Sequence, residues 1–162
     1  MPAITETTAT ALAVTRAREH PHCFVCSPDV PQGLQMRFDV LPDGSTQGQF
    51  ACDKAFEGFP GIIHGGVLSA LVDCAMLHCL FAKGQSGLTV ELSIQFRHPV
   101  EVSVPATVCA EILEQGHSLY RVAARILQQG QVKVKANATF LDKRERRSIP
   151  QDNGNGHNHN HC

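Results

Sequence analysis

The sequence predicts an α+β fold in which a curved antiparallel sheet wraps around one long apolar helix. The first observation is the segment 65–82, which is apolar on most of its helical faces. A helix of this kind must be buried nearly all round. The second observation is the run of alternating segments that follows, each bounded by turn residues, as expected for successive antiparallel strands. A sheet that curves around the helix is the simplest way to bury it.

The residues before the helix predict a first pair of strands. Residues 1–20 are rich in Ala and Thr, and we expect a flexible N-terminal arm or a short helix there. Residues 33–40 alternate like a strand, the turn 42–44 is Pro-Asp-Gly, and residues 45–51 return as a second strand. A loop rich in glycine and proline at 57–63 then leads to the helix.

The helix and the later strands complete one domain, which we place at residues 21–142. The helix should end near Lys83-Gly84, where a basic residue precedes a glycine suited to a C-cap. Strand patterns follow at residues 88–96, 106–113, 119–127 and 132–141. The tail 143–162 is charged and then rich in Asn, Gly and His, which predicts a disordered segment.

Composition excludes several classes of protein. A chain of 162 residues suits one domain with a full core. Its net charge of -1 argues against nucleic-acid binding, and no apolar stretch is long enough to predict a membrane span. The seven cysteines are odd in number and scattered through apolar segments, which favours reduced thiols and a cytoplasmic location.

The start of the helix carries the predicted chemistry. Gly65 and Gly66 leave backbone N–H groups uncovered at the positive end of the helix, where an oxyanion can bind. Asp73 lies within the same apolar helix, and an acid is costly to bury without a partner. An acid and an oxyanion site together indicate acyl transfer or hydrolysis.

These residues resemble those of the hotdog-fold thioesterases, in particular the branch similar to phenylacetyl-CoA thioesterases. The resemblance lies in the motif 58–66 (GFPGIIHGG), in Asp73 nine residues after its histidine, and in the segment 89–99. It extends to the lead-in Cys23-Phe24-Val25-Cys26 and to Gly33-Leu34, so it covers roughly residues 23–141.

The resemblance implies a hotdog fold and a role for each matching residue. Asp73 matches the catalytic acid, which acts as a nucleophile or as a base toward water. The Gly65 amide matches the donor that polarises the thioester carbonyl. Thr89 matches a hydroxyl residue that positions water or the acid, and His64 matches the histidine at the helix entrance. Gly66 is expected to contact substrate.

The implied reaction is hydrolysis of a small or medium acyl- or aryl-CoA, with coenzyme A as part of the substrate and no separate cofactor. Gly58, the other expected substrate contact, departs from the pattern, because many relatives have Asn or Gln there. Ser27 departs too, where relatives with the same lead-in usually have glycine. The alternative function is therefore a non-catalytic acyl-CoA or acyl-ligand binding protein on this fold, with a dehydratase as a weaker option.

The spacing of the site predicts a shared active site. Asp73 comes eight positions after Gly65, which is ~12 Å along a helix that rises ~1.5 Å per residue. Both groups cannot contact one carbonyl within a single chain. We therefore expect at least a homodimer, with a homotetramer as the alternative. Asp73 could instead be an acid satisfied by nearby hydroxyls, and Thr89 an ordinary strand residue.

Cys23 and Cys26, with His20 and His22 beside them, suggest zinc ligands. A structural zinc ion normally needs four ligands from two separated pairs, and the sequence shows no second CxxC pair. We therefore expect packing cysteines and no metal, with hydrolysis that survives chelators. The tail contains metal-binding side chains, which we consider incidental: His157, His159, His161 and Cys162.

Overall fold

The computed structural model describes residues 3–145, with side chains from residue 6 onward. These residues form one six-stranded antiparallel sheet and two α-helices. In chain order the elements are α1 (Ala3–Glu19), β1 (Asp39–Val40), β2 (Thr46–Phe50), a 3-10 helix (Lys54–Phe56), α2 (Gly65–Phe81), β3 (Gly87–Phe96), β4 (Ala106–Gln115), β5 (Leu119–Gln128) and β6 (Gln131–Asp142).

The sheet wraps around α2, which confirms the predicted hotdog fold. Its strand order is β1-β2-β4-β5-β6-β3, and every neighbouring pair is antiparallel. From Leu71 to Phe81 nearly every residue of α2 is buried. The buried strand residues that pack with this helix in the core include Val108, Val122, Ile126, Val134 and Phe140. Gly84 has a φ of +69° just beyond the helix, as expected of a C-cap glycine.

The first predicted strand is much shorter than expected. Only Asp39 and Val40 of the segment 33–40 pair with β2. The backbone N–H groups of Leu34 and Met36 instead donate to the carbonyls of Phe24 and Val25. This segment therefore pairs with the cysteine-containing lead-in rather than with the sheet.

Residues 3–19 of the expected arm form α1. Leu12 and Thr15 of this helix are buried, and α1 packs on α2. At its end, Glu19 forms an ion pair with Lys143 at 2.7 Å. This ion pair joins α1 to the residue after β6. Helix α1 is therefore held by its packing on α2 and by its contact with the end of the sheet. The predicted disordered tail from residue 146 onward lies outside the described residues.

None of the described helices is long and apolar enough to cross a membrane. The six described cysteines are all free thiols. The cytoplasmic location stays a prediction.

Asp142 ends the sheet as a buried carboxylate beneath the exposed Arg144 side chain, which gives a stability prediction. Its carboxylate accepts hydrogen bonds from the Arg144 guanidinium at 2.7 Å and from the Tyr120 hydroxyl at 3.1 Å. The hydrogen bond from Arg144 is the main reason why the pKa of Asp142 falls to about 2, from an ordinary value of 3.8. We expect Asp142→Asn to lower the free energy of unfolding at pH 7 by about 1–3 kcal/mol.

The same pKa fixes the pH dependence of this effect. A carboxylate whose pKa is lowered by folding stabilises the folded chain above its ordinary pKa and loses that effect as pH falls. The stability difference between wild type and Asp142→Asn, measured by urea unfolding, should therefore shrink between about pH 4 and pH 2. A difference that is constant over this range would contradict the assignment.

Candidate active site

The start of α2 is capped by His64 and leaves one amide uncommitted. The Nδ1 atom of His64 accepts a hydrogen bond from the Gly66 N–H at 2.9 Å. The N–H groups of Val67 and Leu68 donate to the His64 carbonyl. Within residues 3–145 the Gly65 N–H has no acceptor. Gly65 is thus the donor at the helix start that the capping leaves free, and its role as an oxyanion donor stays a prediction.

The loop before the helix is held close to His64. The Gly58 N–H donates to the Ile62 carbonyl at 2.8 Å, and the Gly61 N–H donates to the Glu57 carboxylate at 2.6 Å. A Cβ atom at Gly58 would lie only 3.1 Å from the Cα atom of His64. The backbone therefore leaves little room for a side chain at position 58. This accounts for the glycine that this chain has where many relatives have Asn or Gln.

Asp73 and Thr89 lie together, away from the helix start. The Thr89 hydroxyl donates a hydrogen bond of 2.7 Å to Oδ1 of Asp73. Asp73 is half-buried, whereas Thr89 is exposed. Burial raises the pKa of the Asp73 carboxyl, and the hydrogen bond from Thr89 acts in the opposite direction. The Asp73 carboxylate is therefore more basic than an exposed one, is held in one orientation by Thr89, and can be reached from solvent.

A β-bulge turns Thr89 toward the helix. The register between β3 and β6 shifts between Thr89 and Glu91, so that Val90 has no partner residue on β6. Thr89 pairs with Phe140 and Leu92 pairs with Ala138, and both partners are buried core residues. Paired residues share a face of the sheet, so Thr89 and Leu92 both face α2. Without the extra residue, Thr89 would point away from Asp73.

The structure forms two groups rather than one site. One group is the helix entrance, with Gly58, His64, Gly65 and Gly66, and the other is the pair Asp73 and Thr89. Along α2 the two groups are ~12 Å apart. Thr89, near the start of β3, contacts Asp73 in the middle of α2. Phe96, at the end of β3, lies beside the start of α2, with its ring 3.6 Å from the position that a Cβ atom on Gly65 would take. Strand β3 therefore runs antiparallel to the helix.

A second cluster contains three residues that the sequence analysis named as possible zinc ligands and one that it missed, Cys74. The side chains of His20, Cys23, Cys26 and Cys74 place their ligand atoms within 4.8 Å of one another. We call this set the cysteine cluster. The sequence offered His20, Cys23 and Cys26 as ligands but no second CxxC pair, and the expectation that the cysteines only pack rested on that missing pair. The structure adds Cys74 from α2, whose apolar neighbours in the sequence give no sign of a ligand. His22 is not part of this cluster.

Comparison with known proteins confirms the family resemblance. Residues 60–135 match the family model described as the thioesterase superfamily. A crystal structure of a thioesterase superfamily protein is 26% identical, has a TM-score of 0.71, and aligns over 74% of this chain and 63% of that one. A phenylacetic acid degradation-related protein from Ralstonia eutropha JMP134 is 24% identical, with a TM-score of 0.63 over 70% and 89% of the two chains.

A protein of Streptococcus pneumoniae TIGR4 described as a hypothetical thioesterase, crystallised with coenzyme A, is 22% identical, with a TM-score of 0.63 over 67% and 88% of the two chains. An uncharacterized mitochondrial membrane protein of Saccharomyces cerevisiae is 27% identical over 135 residues, which is 80% of this chain. The chain spans only 52% and 58% of the length of two curated relatives, from S. cerevisiae and Saccharolobus solfataricus.

Proposed function

Because this chain has the thioesterase fold and matches that superfamily over residues 60–135, we propose that it hydrolyses the thioester of a small or medium acyl- or aryl-CoA. The products are the free acid and coenzyme A. The observation that carries the proposal is the 2.7 Å hydrogen bond from Thr89 to Asp73. It holds a half-buried carboxylate in one orientation on the same helix that begins with the uncommitted Gly65 amide.

Asp73 is the reacting acid of the proposal. As a nucleophile, its carboxylate attacks the thioester carbon, the C–S bond breaks, and water then hydrolyses the acyl-aspartate anhydride. As a base, it takes a proton from water while the oxygen of that water attacks the same carbon. In both routes the coenzyme A thiolate leaves and takes up a proton. Thr89 occupies Oδ1 and so directs the other carboxylate oxygen toward the reaction.

The Gly65 amide completes the chemistry. The carbonyl oxygen of the thioester gains negative charge when its carbon is attacked, and a fixed N–H at a helix N-terminus stabilises that charge. The His64 ring accepts a hydrogen bond from the Gly66 N–H and thereby orients the first turn of α2. We assign Gly58 and Gly66 to the surface against which the substrate rests, because neither adds a side chain at the helix entrance.

The two groups can act together only across a dimer interface. Strand β3 is an edge of the sheet, and its exposed apolar residues include Val90, Leu92 and Phe96. A free edge of ten residues is a template for a second strand. We place a twofold axis near the middle of β3, where the strand would lie antiparallel to its own copy. The Thr89 end of one strand then lies beside the Phe96 end of the same strand in the partner subunit.

This pairing unites the site. Thr89 contacts Asp73 and Phe96 lies beside Gly65, so the axis brings Asp73 of one chain toward Gly65 of the partner subunit. The assembly is a homodimer with two equivalent sites. A homotetramer would add a second contact between dimers and leave these sites unchanged.

The S. pneumoniae neighbour supports the assignment of the acid and the hydroxyl. Its structure is known with an aspartate replaced by alanine and, separately, with a threonine replaced by alanine. Those two positions lie sixteen residues apart, as do Asp73 and Thr89.

A panel of acyl-CoA thioesters tests the function. We expect release of free thiol from short, medium and aromatic acyl-CoAs, measured with a thiol-reactive dye, at kcat/KM of at least about 10⁴ M⁻¹s⁻¹ for the best substrate. The oxygen ester of the same acid is the control, because its alkoxide leaving group is much poorer than a thiolate. Tight binding of acyl-CoA by calorimetry with no turnover would instead identify an acyl-ligand binding protein.

A further inference from the structure

The cysteine cluster lies where three parts of the chain meet. His20 follows the last residue of α1, with its N–H donating to the Arg16 carbonyl at 2.8 Å. Cys23 and Cys26 lie on the loop after α1, where the Ser27 N–H donates to the Cys23 carbonyl at 2.9 Å. Cys74 comes from the middle of α2. Cys26 and Cys74 are buried, at 4% and 3% exposure.

The distances suit a tetrahedral ion. With Zn–S bonds of ~2.3 Å and a Zn–N bond of ~2.0 Å, a sulfur and a nitrogen on one ion lie about 3.6 Å apart. The Cys26 Sγ and His20 Nδ1 atoms are 3.6 Å apart. All four ligand atoms lie within 4.8 Å of one another, so an ion at their centre can reach each of them with little movement. Three thiols and one imidazole are the donor set of Cys₃His zinc sites.

We propose that the cysteine cluster binds one structural Zn²⁺. All four positions of the tetrahedron are occupied by protein, which leaves no position for water or substrate. The site is therefore closed and independent of the proposed hydrolytic chemistry. Its spacing in the sequence is His-x₂-Cys-x₂-Cys, followed by the fourth ligand from a helix in the core.

The surroundings support this assignment. Three thiolates and one Zn²⁺ carry a net charge of about −1, and Arg16 lines the same cavity as Cys26. The His20 ring packs edge-on against Phe81 at 5.0 Å, which fixes its orientation. His78 is 1% exposed, and its Nδ1 lies 2.7 Å from the Cys74 carbonyl. Donation of that N–H to the carbonyl anchors the backbone of the helix ligand.

The ion would hold α1 and its loop onto α2 beside the candidate catalytic acid. Cys74 is the residue after Asp73, and the loop carrying Cys23 and Cys26 also binds the segment that leads to β1. The site would therefore tie the loop after α1 to the core helix through metal–ligand bonds. Such a site should raise the thermal stability of the whole domain.

Metal content of the full-length chain tests the proposal. The histidine-rich tail is first silenced by His157→Gln, His159→Gln, His161→Gln and Cys162→Ser, so that it contributes no metal. We expect about one zinc ion per chain by elemental analysis after dialysis, and less than about 0.1 in Cys23→Ser and in Cys74→Ser. Cys109→Ser is the matched control and should keep its zinc, because Cys109 lies on β4 outside the cluster.

A second measurement on the chain with all four ligands intact keeps the proposal testable if Cys23→Ser or Cys74→Ser does not fold. The tail-silenced chain, stripped of zinc and loaded with Co²⁺ alone, should show the intense visible bands of a tetrahedral cobalt thiolate, and a thiol-blocking mercurial should release that ion. Iron in place of zinc, a Cys23–Cys26 disulfide in the freshly purified chain, or a folded Cys74→Ser variant that retains its zinc would each overturn the assignment.

Discussion

Replacement of Asp73 by asparagine should reduce kcat for acyl-CoA hydrolysis by about 10³-fold or more, because the amide is neither a nucleophile nor a base. The substitution keeps the size of the side chain and an oxygen that accepts the Thr89 hydrogen bond. The variant should therefore stay folded and keep its assembly, checked by thermal unfolding and size-exclusion chromatography. Asp73→Ala should lose activity to a similar extent.

Two controls separate this result from structural damage. Asp39→Asn removes a carboxylate from β1, at the opposite edge of the sheet from β3, and should leave turnover unchanged. Asp73→Asn should also keep its zinc content, because the cysteine cluster contains no carboxylate. Turnover close to wild type in a folded Asp73→Asn protein would show that this acid is not catalytic.

Thr89 offers a graded test of the same pair. Thr89→Val removes the donor while keeping the shape, and should lower kcat about 10-fold because the carboxylate loses its fixed orientation. Thr89→Ser keeps the hydroxyl and should retain most activity. Equal activity of the valine and serine variants would mean that the hydrogen bond to Asp73 has no catalytic role.

Mixing two inactive variants should restore activity if each site is shared between chains. Asp73→Ala lacks the acid, and Gly65→Pro lacks the amide donor. Proline suits this first helical position, because His64 before it is extended, with φ of −61° and ψ of 132°. In a mixed dimer one site carries both lesions and the other carries neither. Complete random exchange should therefore give about a quarter of wild-type activity.

The reciprocal mixture gives the opposite expectation. A chain carrying both substitutions, mixed with wild type, forms heterodimers in which each shared site lacks one group. Such heterodimers should be inactive, whereas sites built from one chain would leave them half active. Gly65→Ala is the control for the amide, since its Cβ would lie 3.6 Å from the Phe96 ring, in ordinary contact, and its N–H is kept. No rescue in verified heterodimers would contradict the shared site.

The sequence predicted the fold well because periodicity reports burial directly. The apolar helix and the later strands follow from patterns that a helix within a curved sheet buries in the simplest way. The first strand was predicted too long, because alternation at 33–40 does not show whether the segment pairs with the sheet or with another loop. In the structure Leu34 and Met36 pair with the lead-in instead.

The candidate site was harder to predict where it depends on three-dimensional placement. The alternation along 88–96 would place Val90 with Leu92 and turn Thr89 outward, yet the bulge reverses this. No local residue preference marks that extra residue. Likewise, Cys74 lies in a helix whose apolar pattern explains it fully as packing. Its partners, His20 and the lead-in cysteines, are far away in sequence, and only the packing of α1 on α2 brings them to it.

The free edge of β3 has a consequence for how this protein should be assayed. If two such edges must meet to form a site, the working unit is set by mass action between chains. Specific activity should then rise with protein concentration and level off above the dissociation constant of the dimer. Progress curves started by strong dilution should slow as dimers separate. The amount of chain present in the cell would thus set its activity per molecule as well as its total activity.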